Sequence, residues 1–394
     1  MAAQFAYCPP WGWLSARMPR GVVLVLGFAW MGMLLACRQQ PESLYRVSSS
    51  SMAPGLQGPT RRAVCMACSR VTLVAAETAN AQFTTRCFLC GGHSELQSET
   101  LPGQSVSVTT LAKDQAIRRL DRIVFRSPGG PDQVKRVWAL PGERVSFRQG
   151  ELWINGARYQ KGLAEFRQVA LPVAATTLHL SANSTVAWQA ARPTRNWEPG
   201  VPAEQWLKPG PIVDDFEFNQ GVPRSLHPVD DFLIDVELSN ALEESLDLEL
   251  YAHGRVIAVH IHAVGQARET NKPDLPCHRR FSLGVCDERV FLDSDQTSQV
   301  LPLEDFTDLT REGAQPGDKT HWARFTAASQ IGDVNLHVWR DQYLLQSDQQ
   351  WQYADFGQVP TDSFFVLGDN LPVSIDSRHE LGPVHRSQIV GKVQ

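Results

Sequence analysis

The sequence predicts a mainly β protein that is divided into several segments. Apolar and polar residues alternate in stretches such as 232–238 and 246–250, and this period of two is typical of β-strands. Turn-forming pairs, Asn-Gly at 155–156 and His-Gly at 253–254, follow or separate such stretches, which favours antiparallel hairpins. A chain of 394 residues has room for two or three domains.

The composition excludes some classes of protein. The chain has 37 Lys and Arg against 42 Asp and Glu, for a net charge of −5, and no basic stripe with interleaved aromatic residues is present. We therefore expect no nucleic-acid partner. The hydrophobic content of 43% is ordinary for a globular protein. Eight cysteines in a chain of this length do not make a disulfide scaffold.

The N-terminus contains an apolar segment. Residues 1–20 include Arg17 and Arg20 and no acidic residue, and residues 21–37 are uncharged. Such a segment is at the short end of the length that spans a bilayer, so it predicts a transmembrane anchor. Two alternatives remain open at this point: a cleaved signal peptide, or a lipoprotein processing site that leaves Cys37 acylated.

Two C-x-x-C pairs, Cys65/Cys68 and Cys87/Cys90, lie in residues 61–100 with 18 residues between the pairs. This spacing is typical of a four-thiolate zinc site. Zinc held by four thiolates has no open position for water, so the sequence favours a small zinc ribbon with a structural role. Two disulfides are the alternative, which an oxidising compartment would favour.

Residues 165–350 form a long region of alternating strands, with a turn at 340–342 leading to a further apolar run. Such strands with regular turns predict an antiparallel β-sandwich. The stretch 325–345 resembles the hairpin of laminin-G or concanavalin-like sandwiches, which implies a glycan or protein ligand. Cys277 and Cys286 are expected to close a short disulfide loop.

Three short segments carry the signal for function. The first reads SSSMAP at 49–54; the second reads DRIVF at 121–125, followed by KRVWALPGE at 135–143; the third reads GDNLPVSIDSR at 368–378. In this order, and with an apolar segment ahead of the first, they resemble the motifs of bacterial type I signal peptidases. These are membrane-bound serine proteases of the S26 family that remove signal peptides from exported proteins.

The resemblance implies a catalytic dyad of Ser51, the nucleophile, and Lys135, the general base. It also implies that the Ser51 backbone N–H and the Ser49 hydroxyl stabilise the oxyanion. No metal or other cofactor takes part in catalysis in this family.

The third segment supplies the expected supporting residues. Ser374 matches a serine whose hydroxyl orients the lysine ammonium. Asp376 and Arg378 match an ion pair that holds the loop, and Asp369 and Asn370 belong to the same block.

The proposed chemistry requires a neutral lysine. An ordinary lysine has a pKa of about 10.4, so roughly one in two thousand is neutral at pH 7. Burial among apolar groups lowers this pKa, and Val134, Val137 and Trp138 flank Lys135. Neutral Lys135 is then able to accept the Ser51 hydroxyl proton.

This chain departs from the family pattern at several places. Ser50 replaces a glycine, Gly55 stands where threonine is frequent, and Leu371 stands where arginine is frequent. If the position of Ser50 requires a positive φ, a serine there is unfavourable.

The resemblance assigns residues 38–60, 101–164 and 351–394 to a signal-peptidase-type β catalytic domain. It implies exported preproteins as substrates, and a single-pass protein whose catalytic domain faces the extracytoplasmic side of the lipid bilayer. For this reason we favour an uncleaved anchor at 21–37. Two alternatives are a catalytically inactive, membrane-tethered binding protein and a different Ser–Lys protease, such as a self-cleaving repressor.

Overall fold

The structure is a computed structural model. It describes residues 42–77, 85–88, 90–112, 115–127, 129–193, 207–220, 222, 224–266, 272–308, 320–345 and 352–394. The predicted N-terminal segment 1–20, the anchor at 21–37 and Cys37 lie outside the described residues. Of the helices in the part of the chain that the structure describes, none has the length and apolar character needed to cross a membrane. The compact unit Ser43–Gln394 contains all but one of the described residues.

The described residues form mainly β-strands, as the alternating pattern predicts. The strands before the helix are β1 (Glu42–Arg46), β2 (Thr60–Cys65), β3 (Val71–Ala75), β4 (Thr85–Arg86), β5 (His93–Leu101), β6 (Ser105–Thr110), β7 (Arg122–Phe125), β8 (Gln133–Ala139), β9 (Arg144–Arg148), β10 (Glu151–Ile154) and β11 (Ala157–Arg158). The helix α1 spans Leu163–Val169.

The strands after the helix are β12 (Leu171–Leu180), β13 (Ser184–Gln189), β14 (Ala191–Pro193), β15 (Leu207–Pro209), β16 (Phe232–Leu238), β17 (Ser245–Ala252), β18 (Arg255–Ala263), β19 (Asp274–Cys277), β20 (Arg280–Cys286), β21 (Arg289–Ser294), β22 (Ser298–Pro302), β23 (Thr307–Asp308), β24 (Trp322–Ala327), β25 (Gly332–Arg340), β26 (Tyr353–Gln358), β27 (Ser363–Leu367), β28 (Val384–His385) and β29 (Ile389–Val393). Short 3₁₀ helices span Ser50–Met52, Glu217–Asn219, Leu303–Asp305, Leu371–Val373 and Arg386–Gln388.

A seven-stranded sheet, in the order β1-β6-β29-β7-β8-β27-β28, brings the functional segments together. Strand β8 carries Lys135, and its neighbour β27 leads directly into the third segment. Every residue of β27 is buried, as expected of a central strand. A second sheet, β11-β10-β9-β26, extends this part of the protein. Its hairpin turns at Asn155 and Gly156, whose φ values are 53° and 86°. Turns with positive φ at both central residues have the twist that paired strands require.

The cysteine-containing segment forms a separate four-stranded antiparallel sheet in the order β3-β2-β5-β4. The first C-x-x-C pair lies in the turn from β2 to β3, and the second follows β4. These strands extend from Thr60 to Leu101, close to the expected segment 61–100.

The region from β12 to β25, here called the two-sheet region, contains two larger sheets. One has the order β12-β25-β16-β20-β21-β22, and the other β13-β24-β17-β18-β19. Alternate residues of both sheets, among them Ile234 and Leu336 in the first and Leu248 and Phe325 in the second, form one hydrophobic cluster. The pairing is antiparallel except between β18 and β19, which run parallel.

Two local expectations in this region are wrong. The expected turn at 340–342 is not formed: Arg340 ends β25, the next residues have no turn, and Leu344 pairs with Gly150. The three residues 340–342 are between 2% and 4% exposed. Polar contacts hold them inside: the Arg340 side chain donates to the Asp215 carbonyl oxygen at 2.8 Å. The expected disulfide between Cys277 and Cys286 is also not formed, since both are buried free thiols on strands of different sheets.

Candidate active site

Ser51 lies in the 3₁₀ turn Ser50–Met52. Met52 and Ala53 are fully buried and anchor the turn to the hydrophobic interior. Ser51 itself is partly exposed. The Ser49 hydroxyl lies 3.3 Å from the Ser51 hydroxyl, on the same side of the turn.

Ser50, which replaces the family's glycine, is held by a residue of the cysteine-containing segment. The Ser50 backbone N–H donates to Glu77 at 3.2 Å, and its hydroxyl donates to the same carboxylate oxygen. Ser50 is not among the described residues with positive φ, so a side chain there brings no backbone strain. The serine hydroxyl instead makes a contact that glycine lacks.

Lys135 is buried on β8, with 4% of its surface exposed. Its ammonium nitrogen lies 3.0 Å from the Ser374 hydroxyl. Burial lowers the pKa of Lys135 to about 8, although the nearby Asp376 carboxylate acts in the opposite direction. Among the described residues, no hydrogen bond joins the Lys135 amine directly to the Ser51 hydroxyl.

Gly368 is the point at which the first and third segments meet. A Cβ atom at this position would lie 2.3 Å from the Ser374 hydroxyl oxygen and 2.4 Å from the Ser51 carbonyl oxygen. Only glycine allows this approach. The backbone of Ser51 and the hydroxyl that binds Lys135 therefore both pack against Gly368.

An ion pair holds the loop that carries Ser374. The Arg378 guanidinium donates to both oxygens of Asp376, at 2.8 and 2.9 Å, and to the Leu371 carbonyl oxygen at 2.8 Å. Burial opposes ionisation of Asp376, but its hydrogen bonds and the charge of Arg378 lower its pKa. The loop is thus held by a bidentate ion pair.

A second buried ion pair is formed by Arg136, the residue that follows Lys135 on β8. Arg136 donates to the two oxygens of Asp369, both at 2.7 Å, and each residue is 4% exposed. Neighbouring residues of a strand point to opposite faces, so Lys135 and Arg136 bind different parts of the third segment. Arg136 and Asp369 belong to different sequence motifs, and the motifs alone did not predict that they pair.

Asn370 binds the nucleophile turn directly. Its backbone N–H donates to the Ser51 carbonyl at 3.0 Å, and its side-chain amide donates to the Ser50 carbonyl at 3.1 Å. The same amide exchanges two hydrogen bonds with Asn219, at 2.6 and 2.8 Å. The sequence analysis missed Asn219, which belongs to no motif.

The four cysteines Cys65, Cys68, Cys87 and Cys90 come together as the spacing predicts. Their sulfur atoms all lie within 4.8 Å of one another. The distances are 3.4 Å between Cys65 and Cys90 and 3.7 Å between Cys68 and Cys87. A tetrahedron with Zn–S bonds of about 2.3 Å has sulfurs roughly 3.8 Å apart, whereas a disulfide bond is about 2.05 Å long. The residues present therefore fit a metal ion.

The turn around these thiols is adapted to them. A Cβ atom at Gly92 would lie 3.2 Å from the Cys65 sulfur and 3.3 Å from the Cys90 sulfur, so a side chain there would crowd the cluster. Burial opposes ionisation of Cys65, but hydrogen bonds from the backbone N–H groups of Cys68 and Ala67 lower its pKa to about 7. These bonds favour a thiolate.

A buried acidic cluster that the sequence did not indicate lies between α1 and the two-sheet region. The Lys161 ammonium lies 3.0 Å from Asp287 and 2.9 Å from Asp341, and the Asp287 backbone N–H donates to Asp231 at 2.8 Å. Burial opposes the charge on Lys161, but these carboxylates raise its pKa. The ammonium is the cation shared by Asp287 and Asp341, while Arg158 lies 3.4 Å from Asp231 and 3.5 Å from Asp287. These contacts link the chain before α1 to loops of the two-sheet region.

Comparison with known proteins identifies the family of this chain. The family described as "Signal peptidase, peptidase S26" matches residues 20–207 and 310–394. The unmatched stretch 208–309 lies within the two-sheet region. Signal peptidase I of Bacillus caldolyticus is 45% identical over 42 residues, which are 11% of this chain and 23% of that protein. This chain thus spans about a quarter of the relative's length. Because the family match covers more than half of the chain, the protein belongs to the signal peptidase family, peptidase S26.

Proposed function

We propose that this protein is a signal peptidase I, a membrane-bound serine endopeptidase that cleaves exported preproteins through a Ser51/Lys135 dyad. The observation that carries this proposal is the environment of Lys135. Its amine is buried, has a pKa lowered to about 8, and contacts Ser374. The Ser374 hydroxyl and the Ser51 backbone both pack against Gly368.

In the proposed reaction, the neutral Lys135 amine takes the Ser51 hydroxyl proton while the serine oxygen attacks the scissile carbonyl. The negative charge that develops on the carbonyl oxygen is stabilised by the Ser51 backbone N–H and the Ser49 hydroxyl. The C–N bond then breaks, and the Lys135 ammonium gives its proton to the leaving amine. Water then attacks the resulting ester while Lys135 accepts a proton from it. The ester C–O bond breaks, and the Lys135 ammonium returns the proton to the Ser51 oxygen.

Ser374 has a supporting role in this scheme. Its hydroxyl holds the lysine nitrogen while the amine gains and loses a proton. Hydrogen bonds between catalytic groups are frequently long before substrate binds, so the contact between Ser51 and Lys135 is expected to form when the substrate excludes water.

The substrates proposed here are the signal-peptide segments of exported preproteins, bound as an added strand. Residues 21–37 are proposed to anchor the protein in the lipid bilayer, with the catalytic domain on the extracytoplasmic side. The supporting observations are the apolar composition of that segment and membership of the family.

The test is cleavage of a preprotein by the purified full-length chain in detergent. Ser51→Ala and Lys135→Ala should each reduce the rate to background while the thermal unfolding midpoint stays within a few degrees. Matched controls are Ser48→Ala, an exposed serine three residues before Ser51, and Lys392→Ala, a lysine paired with Asp121. Activity retained in either dyad variant would rule out the proposed mechanism.

A second candidate is an inactive, membrane-tethered binding protein. The observation that favours it is the size of the two-sheet region, which we propose to be a β-sandwich that binds a glycan or protein ligand. If wild type and the Ser51→Ala variant both leave the preprotein uncleaved, this second function replaces the first.

We also propose that Cys65, Cys68, Cys87 and Cys90 bind one structural zinc ion. The support is the close approach of their four sulfurs, all within 4.8 Å of one another, and the glycine that makes room for them. The metal would join the two turns of this segment and takes no part in proton transfer. Elemental analysis of the purified protein should find about one zinc per chain. A metal-free protein with two disulfides by mass spectrometry would contradict this.

A further inference from the structure

The direction of the peptide bond between Ser50 and Ser51 is fixed by Asn370 of the third segment and, through Asn370, by a residue outside the catalytic motifs. Its N–H, on Ser51, is the proposed oxyanion donor. Its carbonyl, on Ser50, accepts a hydrogen bond from the side chain of Asn370 at 3.1 Å. Because a peptide unit is planar and its N–H and C=O point in opposite directions, fixing the carbonyl also fixes the direction of the N–H.

Asn370 is held in turn by Asn219. The two side chains exchange hydrogen bonds at 2.6 and 2.8 Å, and they are 2% and 5% exposed. One hydrogen of the Asn370 amide goes to Ser50 and the other goes to Asn219, while its oxygen accepts from Asn219. Every group of this amide is therefore used, and Asn219 determines which side of the amide faces Ser50.

Asn219 is itself fixed by its own segment. It ends the 3₁₀ helix Glu217–Asn219, next to Phe216 and Phe218, whose stacked rings pack against Ala53. Glu217 binds Arg70 and Thr72 of the cysteine-containing segment, each at 2.9 Å. The 3₁₀ helix that carries Asn219 is thus held by apolar contacts to Ala53 and by polar contacts to the cysteine-containing segment.

The N-terminal side of Ser50 has an independent anchor. Glu77 accepts from the Ser50 backbone N–H and hydroxyl. Ser50 is therefore fixed at its N–H by the cysteine-containing segment and at its carbonyl by Asn370, which the two-sheet region holds through Asn219. A residue 1% exposed with three such contacts has little freedom to rotate.

We propose that Asn219, which lies in the part of the chain that the family does not match, is a positioning residue for the oxyanion site: through Asn370 it orients the Ser50–Ser51 peptide so that the Ser51 N–H faces the substrate carbonyl. The proposal rests on the proposed function and deepens it. The two-sheet region would then contribute a positioning residue to the active site, and this role is separate from the binding of any ligand.

The role predicts a specific kinetic pattern. Misdirecting the Ser51 N–H weakens only the transition state, so kcat should fall while KM stays constant. Complete loss of an oxyanion donor costs about 10²–10³ in kcat, and a misdirected donor should cost roughly tenfold or more. The pH dependence should keep its midpoint, because Lys135 is not altered.

The test compares Asn219→Ala and Asn219→Asp with Gln220→Ala in the full-length chain. The aspartate keeps the shape of the side chain but has no N–H to donate to the Asn370 oxygen. Gln220 is the matched control, since it lies next to Asn219 and also makes two hydrogen bonds, to the backbone of Arg86 at 2.8 and 2.9 Å. Its side chain does not contact Asn370 or the nucleophile turn among the described residues.

Steady-state cleavage of a quenched fluorescent signal-peptide substrate should give a kcat at least tenfold lower for both Asn219 variants, with KM within twofold and with Gln220→Ala near wild type. A peptide aldehyde adds to the Ser51 hydroxyl and gives a hemiacetal, whose former aldehyde oxygen occupies the oxyanion site. It should bind the Asn219 variants more weakly by a similar factor. The proposal is overturned if folded Asn219 variants keep the wild-type kcat, change only KM, or lose no more than Gln220→Ala. Cleavage by Ser51→Ala would instead refute the proposed function itself.

Discussion

Lys135 and Ser374 are 239 positions apart in sequence, and their side chains lie 3.0 Å apart in the structure. The neighbouring strands β8 and β27 bring them together, and both residues are 4% exposed. Among the described residues, Ser374 is the one hydroxyl that hydrogen-bonds to this lysine. It lies on the loop that also contacts the Ser51 backbone.

The lowered pKa of Lys135 predicts the pH dependence of cleavage. The active form is the neutral amine, and with a pKa of about 8 roughly one molecule in ten has this form at pH 7. The value of kcat/KM should therefore rise about tenfold per pH unit below the pKa and level off above pH 8. A profile that is flat between pH 6 and 8 would contradict this assignment.

Lys135 should also reduce the stability of the folded protein. Its folded-state pKa of about 8 is below the ordinary value of 10.5, so the ammonium is less favourable in the folded state than in the unfolded state. The penalty is fully present below pH 8 and disappears as the pH rises towards 10.5. Replacement Lys135→Met should abolish cleavage and raise the unfolding free energy at pH 7 by on the order of 2 kcal/mol.

Thermal or denaturant unfolding of wild type and Lys135→Met at pH 7 measures this effect. The control is Lys392→Met, because Lys392 is half-buried in an ion pair with Asp121 and should give no such gain. A loss of stability in Lys135→Met would show that the ammonium is stabilised by its surroundings.

Gly368→Ala should damage the active site although it replaces no catalytic side chain. The new methyl group would lie 2.3 Å from the Ser374 hydroxyl and 2.4 Å from the Ser51 carbonyl, so both loops would have to move apart. Overpacking of this kind costs about 1–3 kcal/mol, and we expect at least a hundredfold loss of kcat, because small displacements of reacting groups are this costly.

The control for this variant is Gly130→Ala. Its added methyl group would make only ordinary contacts, the nearest at 3.6 Å with Ser127, and cleavage should remain near wild type. Normal cleavage by Gly368→Ala would mean that the separation of the two loops is not important for catalysis.

Lys161 should be required for stability. Its ammonium is the cation between Asp287 and Asp341, and all three side chains are buried. In Lys161→Met, Asp341 loses its ion-pair partner and Asp287 keeps only the more distant Arg158, at 3.5 Å. Breaking a buried pair costs about 3–5 kcal/mol.

Arg167→Met serves as the matched control in the same unfolding experiment. Arg167 pairs with Asp235 at a site where both side chains are partly exposed, and such pairs contribute only about 0–1 kcal/mol. Equal effects of the two variants would contradict the role given to the buried cluster.

The sequence by itself determined the mainly β fold, the two C-x-x-C turns and the three segments of the signal peptidase family. These properties depend on residues that are close in sequence: alternation within a strand, glycine in a turn, cysteines around a tight loop. Ser51, Lys135 and Ser374 were identifiable because each lies in such a short pattern.

Only the tertiary structure decided which side chains meet. The pairing of Arg136 with Asp369, of Asn219 with Asn370, of Ser50 with Glu77 and of Lys161 with Asp287 depends on the order and register of distant strands. Local patterns do not contain that information, because each of these contacts joins residues on different elements. The physical reason is that a hydrogen bond or ion pair needs its two partners within about 3 Å, and only the packed sheets bring them that close.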